Sequence, residues 1–189
     1  MDKIRNYIET ITEVNDKDWQ FFSSKLKKRQ FQKKTIITEI GHTENYISFI
    51  EKGIIRLLIP KKEEEEITYG FSFENEFISA YDSFLIQKPS QYQLETLVET
   101  SLLSITYSDL QKVYQQTKIG NLIGRMSSER LFLIKSKREQ SLLNDSAEQR
   151  YLNLFKERPN LIKEIPLKYI ASYIGVTAQA LSRIRKRIS

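Results

Sequence analysis

The sequence predicts an α+β fold in three parts. These are an antiparallel β-roll behind N-terminal helices, one long helix, and a C-terminal helix-turn-helix of winged-helix-like type. Three observations carry this. Between Phe31 and Thr106 apolar residues come in short alternating stretches broken by glycine or charge. From Lys118 the period becomes helical and stays so for many turns. From Ile165 to Ser189 (IPLKYIASYIGVTAQALSRIRKRIS) two short amphipathic stretches meet at a glycine. The units implied are 1–116, 117–143 and 144–189.

In order along the chain, residues 1–29 read as helical, with Ile4, Ile8 and Ile11 and then Trp19, Phe22 and Leu26 at helical spacing. They are packing residues for a lid on the strands downstream. Strands are expected at Thr35–Thr38, Tyr46–Ile50, Ile54–Ile59, Ile67–Phe71, Tyr92–Val98 and Leu102–Thr106. Gly41, Gly53 and Gly70 are expected to turn the roll. The run Lys61-Lys62-Glu63-Glu64-Glu65-Glu66 reads as a solvated hairpin tip.

A short helix is expected over Asp109–Tyr114, and the long one from Lys118. On the long helix Ile119, Leu122, Ile123, Met126, Leu133 and Ile134 form one apolar stripe, with Arg130 inside it. The stripe predicts packing on the roll and a two-fold seam with the same helix of a second copy, each on a different face of the helix. Leu131 and Phe132 lie off the stripe and are expected against the roll. Arg130 is expected to reach a carboxylate such as Glu129 of the partner subunit, or a carbonyl. Asn144-Asp145-Ser146 breaks the pattern, and Asp145 or Ser146 is expected to cap a helix over Ala147–Lys156. Tyr151, Leu152 and Phe155 should face inward there, and Pro159 should close it. Any wing must come from 158–166.

The last segment carries the functional signal. Its first helix, about Leu167–Ile174, buries Ile170, Ala171 and Ile174, and Gly175 supplies the sharp turn. Thr177 is the expected N-cap of the second helix, which buries Val176, Ala180, Leu181 and Ile184. Its other face carries Gln179, Ser182, Arg183, Lys186 and Arg187. This is the arrangement in which a second helix offers polar side chains to a major groove. Charge agrees: from Asp145 on there are nine Lys and Arg against four Asp and Glu, and that segment holds most of the chain's formal net charge of +6.

The phrase IASYIGVT..ALSRIRK resembles the helix-turn-helix of the cyclic-AMP receptor protein/FNR superfamily of bacterial transcription regulators, and is similar to the short members from Bacteroidetes-type bacteria. FIEKGIIRLL, with Gly41, Gly53 and Gly70 in their order among the strands, resembles that superfamily's cyclic-nucleotide-binding β-roll. The resemblance covers nearly the whole chain. It implies a dimeric regulator that reads an inverted repeat in double-stranded DNA, with RNA polymerase a candidate further partner; a cytoplasmic location is expected from the lack of a signal-peptide core and of a membrane-length apolar run. It implies base contacts from Ala178, Gln179, Ser182 and Arg183, and phosphate contacts from Lys168, Thr177, Arg185 and Lys186. Gln179 pairs with adenine chemistry and Arg183 with guanine; the alternative for Arg183 is a phosphate contact.

For the roll the resemblance implies a glutamate on the ligand's ribose and an arginine on its cyclic phosphate. Here the opening pair of the expected short helix reads Asn75-Glu76, so Glu76 is kept and the glycine is lost. Where the arginine should stand the chain reads Pro89-Ser90-Gln91-Tyr92, and no arginine lies between Arg56 and Arg125. A buried phosphate without a cation is costly. The roll is therefore expected to take an unknown small-molecule effector or none. Glu76, Tyr81, Phe84, Gln91 and Tyr92 mark the pocket, although aromatics of a roll are more often plain core.

The absence of cysteine excludes disulfides and thiolate metal sites, and one histidine, His42, excludes a multi-histidine cage. No cofactor, no metal and no catalytic residues are expected. The N-terminus lacks a signal-peptide core, and no apolar run approaches the ~20 residues of a membrane span. Three alternatives remain open at this point: a true cyclic-nucleotide receptor on the same scaffold, a cupin-like metal enzyme, and a protein-interaction module whose basic tail is incidental.

Overall fold

Helices α1 (Asp2–Glu9) and α2 (Asp16–Ser24) open the chain. The computed structural model describes residues 1–61 and 66–188. Most of the charge run therefore lies outside the described residues, and so does the hairpin tip expected there. Asn15 caps α2 by accepting from the Asp18 amide at 2.9 Å. Asp18 itself is buried, and its carboxylate accepts the Lys118 amide at 2.9 Å. An acid of the lid thus sits at the start of the long helix, where the helix dipole favours it.

Among the described residues eight strands come next: β1 (Lys27–Phe31), β2 (Ile36–Thr38), β3 (Tyr46–Lys52), β4 (Ile55–Pro60), β5 (Glu66–Ser72), β6 (Phe77–Ile78), β7 (Gln93–Thr96) and β8 (Thr100–Thr106). They form two antiparallel four-stranded sheets, β1-β8-β3-β6 and β2-β7-β4-β5. Residues 27–29, expected as helix, begin β1. Its lysines gave no apolar alternation because β1 is an edge strand, where lysine blocks further pairing. Gly53 turns the chain at φ +121°, and an added Cβ there would stand 2.9 Å from the Thr100 backbone. Gly70, expected in a turn, lies inside β5. It faces Leu57 next to a register shift, so it serves a bulge beside Tyr69.

Helix α3 (Tyr81–Ile86) lies after β6, later than the short helix expected at Asn75-Glu76. Then come α4 (Tyr107–Gln116) and α5 (Lys118–Asn144), capped by Thr106 and Thr117. One core joins Ile4, Ile8 and Phe22 of the lid to Phe49, Leu103, Val113, Ile119 and Ile123. A second lies between the sheets around Ile50, Ile55, Leu94 and Leu102.

Ile119 and Ile123 thus take the packing role expected of the stripe, against the protomer's own roll, and of the expected seam residues they are the ones buried there. The same helix leaves Leu133 67% and Ile134 51% exposed. Phe132, expected against the roll, is 70% exposed, while Leu131 is half-buried. Within the protomer Arg130 donates to the Tyr7 hydroxyl at 3.2 Å, and Glu129 pairs with Arg125 of its own helix.

The C-terminal part holds α6 (Ala147–Glu157), α7 (Pro159–Glu164), α8 (Leu167–Tyr173) and α9 (Ala178–Ile188). Ser146 caps α6 by accepting from Gln149 at 3.1 Å. Tyr151 and Leu154 are its buried residues; Phe155, expected inward, is 47% exposed. The segment 158–166 forms α7 instead of a wing, with Pro159 in its first turn, where the missing amide hydrogen costs nothing.

Candidate nucleic-acid interface

Helices α8 and α9 cross through buried Ile170, Ala171, Ile174, Leu181 and Ile184. Gly175 has φ +76°, a conformation that a side chain would strain. The Val176 amide returns to the Ala171 carbonyl at 2.9 Å, so the chain leaves α8 in a tight reversal. Thr177 Oγ1 then accepts the Ala180 amide at 3.1 Å and starts α9.

With the apolar face fixed inward, the opposite face of α9 is set by helical geometry. Thr177, Ala178, Gln179, Ser182, Arg183, Arg185 and Lys186 are all exposed, as is Lys168 at the start of α8. Among the described residues no hydrogen bond or ion pair engages the side chains of Lys168, Gln179, Ser182, Arg183 or Lys186, so their polar atoms remain available. Arg187 belongs elsewhere: it pairs with Glu148 of α6 at 2.8 Å and braces α9.

Two other cations of the segment are also internal struts. Arg150 donates to the Ile174 carbonyl at 2.8 Å and to the Asp145 carbonyl at 2.6 Å. Arg158 donates to the Phe71 carbonyl at 3.1 Å. The positive charge facing outward is therefore smaller than the residue count suggests; α9 and the start of α8 carry most of it, with Lys156 and Lys163 exposed on α6 and α7.

The expected pocket residues do not converge. Asn75 keeps a positive φ of 63°, the backbone form for which glycine is the usual residue. Glu76 turns back on its own loop and accepts the Phe73 amide at 3.0 Å. Phe84 is buried against Tyr107, and Gln91 faces solvent. Tyr81 shares a hydrogen bond with Ser128 of α5 at 2.8 Å.

Tyr92 is buried between the sheets and donates to Asp82 at 2.8 Å. Burial first, and the Asp82 carboxylate second, hold its phenol well above the usual tyrosine range. Tyr69 packs on Tyr92 with ring centres 5.0 Å apart, and Lys135 of α5 covers Tyr69 and bonds its hydroxyl. Aromatic rings and a lysine thus occupy this face of the roll. A cleft of about 210 Å³ touches Glu76 but lies between Phe73–Glu76 and Glu157–Leu161, away from the tyrosines.

Sequence reading missed Arg56. It is 1% exposed, bonds Glu66 at 2.8 Å and Thr68 at 3.1 Å, lies 3.5 Å from Glu95, and stacks under Tyr169 of α8 at 3.9 Å. No periodicity marks it, because its partners lie on three different elements. Among the described residues no group of three or more His, Cys, Asp or Glu side chains could hold a metal. Nor is any helix among them long and apolar enough to cross a membrane.

Residues 28–117 match the family of cyclic nucleotide-binding domains. Among solved structures the chain is similar to a Crp/Fnr-family regulator from Eubacterium rectale, at 17% identity and TM-score 0.72, covering 97% of this chain and 87% of that one. It is similar to the c-di-GMP-responsive global regulator CLP of Xanthomonas campestris, at 17% identity and TM-score 0.70 over 92% and 91% of the two chains. A CooA variant of Carboxydothermus hydrogenoformans gives 13% identity and TM-score 0.70 over 88% and 78%. Among curated proteins none is significantly similar in sequence. By these matches residues 28–117 are similar to cyclic nucleotide-binding domains, and the whole chain has the fold of the Crp/Fnr-type structures.

Proposed function

We propose that the chain is a dimeric, sequence-specific DNA-binding transcription regulator, not an enzyme, whose roll no longer uses cyclic nucleotide. The observation that carries it is the outward face of α9, where Gln179, Ser182, Arg183 and Lys186 stand unengaged on a capped, tightly turned helix pair. Ala178, Gln179, Ser182 and Arg183 take the base edges; Lys168, Thr177, Arg185 and Lys186 take phosphates. Dimerisation rests on Leu122, Met126, Leu133 and Ile134 of α5, of which the last two are largely exposed. Two such helices fit major grooves about 34 Å apart, so the target is an inverted repeat. RNA polymerase is a further partner of this reading.

Loss of nucleotide dependence is supported by the missing arginine, by the tyrosines packed together in the roll and by Lys135 of α5, which lies over one of them. The test is selection of bound duplexes from a random pool by ligand-free protein. An inverted repeat is expected; salt-sensitive binding with no repeat would defeat the reading. The match to cyclic nucleotide-binding domains favours a second reading, a true nucleotide receptor. Titration with cyclic AMP and with c-di-GMP decides between them, and a saturable shift in melting temperature would establish the second.

A further inference from the structure

We propose that α8 is a clasp by which the roll holds the recognition helix in its reading orientation without any ligand, with Ser172 and Tyr169 as positioning residues; this rests on the DNA-reading function proposed above. The starting observation is a sheet edge. Strand β5 is the last strand of its sheet, and an edge strand leaves backbone groups unpaired. Here one hydroxyl completes two of them. Ser172 Oγ accepts the Thr68 amide at 2.8 Å and donates to the Glu66 carbonyl at 3.1 Å.

One turn earlier, Tyr169 lies over the Arg56 guanidinium at 3.9 Å and covers a charge that is otherwise enclosed by Glu66, Thr68 and Glu95. A buried charge keeps its value only while its surroundings stay complete, so the ring is part of that site's closure. The apolar packing is continuous as well. Ile54 and Phe71 of the roll are buried in the same cluster as Leu161, Ile170 and Leu181.

The other end of α8 is tied to the long helix. Arg138 of α5 donates to the Tyr173 carbonyl at 3.2 Å and stacks on the Tyr173 ring at 4.8 Å. Because α9 packs across α8, its direction is set by where α8 is held. In this clasped arrangement the reading residues of α9 all face outward. Two half-sites need two recognition helices at a fixed separation and angle, and a helix pair held in advance does not lose that freedom on binding.

The test uses the full chain and the repeat selected by the wild-type protein. Ser172→Ala and Tyr169→Ala lie off the reading face. Their combination is expected to bind the repeat about tenfold more weakly, as the correctly oriented fraction falls, with binding to unrelated duplex unchanged. The Thr68 amide should exchange its hydrogen faster, and Tyr169→Phe, which keeps the ring, should behave as wild type. Equal or tighter binding of the repeat by the double variant would overturn the clasp. A wild-type chain that selects no repeat would instead overturn the DNA-reading function on which it rests.

Discussion

Arg183 and Lys186 stand one turn apart on the same exposed face of α9, and their chemistry separates them. A guanidinium offers a planar fork that matches the two acceptors of guanine; an ammonium is a point charge suited to phosphate. Arg183→Ala is therefore expected to cost about 1–3 kcal/mol on the selected repeat and to relax one base position. Lys186→Ala should weaken all sequences alike and lower the salt slope by about 1. Measuring both variants against the repeat and a scrambled duplex, over a salt series, separates the roles. An equal loss for Arg183→Ala on both duplexes would move Arg183 to the backbone. Ala178, beside them, has only a methyl to offer, so its reading is limited to apolar contact such as a thymine methyl. Residue type alone misleads elsewhere: Arg150, Arg158 and Arg187 count toward a basic segment, yet each bonds a carbonyl or carboxylate of its own chain.

Helix α5 shows why one face of an element is legible and another is not. Its apolar stripe was visible in the sequence, and so were its start at Lys118 and its end near Asn144; the Thr117 cap was not read there. Much of the side that grips the roll was not visible, because beyond Ile119 and Ile123 it is built of small and polar residues. Gly120 lets the helix pass close to the Val113 carbonyl, Ser128 meets the Tyr81 hydroxyl, and Arg130 and Lys135 meet the hydroxyls of Tyr7 and Tyr69. No hydrophobic period records such contacts. The roll also takes Ile119 and Ile123 from one margin of the stripe and turns its remainder outward. A similar limit applied to the lysine-bearing edge strand β1 and to the helical α7, where only tertiary pairing decides. By contrast the helix-turn-helix was readable almost in full, since its turn glycine, its cap and its inner face are all local. The outward part of α5 yields a test at this scale. Leu133 is 67% exposed in the protomer, so Leu133→Lys removes nothing from the protomer's core. The variant should remain folded and sediment as a monomer where the wild type sediments as a dimer. An unchanged dimer would place the two-fold contact on another surface.

At the scale of the whole molecule the decisive feature is that the helix-turn-helix does not close its core alone. Ile54 is 6% and Phe71 4% exposed, and both are buried among residues of α6 to α9. Detaching that segment would expose these side chains, release the Thr68 amide and the Phe71 carbonyl from their partners, and uncover Arg56. Burial of this kind is worth roughly 25 cal/mol per Å², and a lost hydrogen bond about 1 kcal/mol, so the separate pieces are less stable than their union. The roll and the DNA-reading helices should therefore unfold as one cooperative unit. A calorimetric scan is expected to show one transition, with the calorimetric enthalpy equal to the van't Hoff enthalpy per cooperative unit. Its midpoint should rise with protein concentration if the α5 seam dissociates in the same step. Phe71→Ser, placed at the junction, should lower the midpoint more than an exposed substitution on the same strand such as Ile67→Ser. Two resolved transitions in the wild type would mean that α6 to α9 hold together without Ile54 and Phe71, and that the helix-turn-helix is free to turn against the roll.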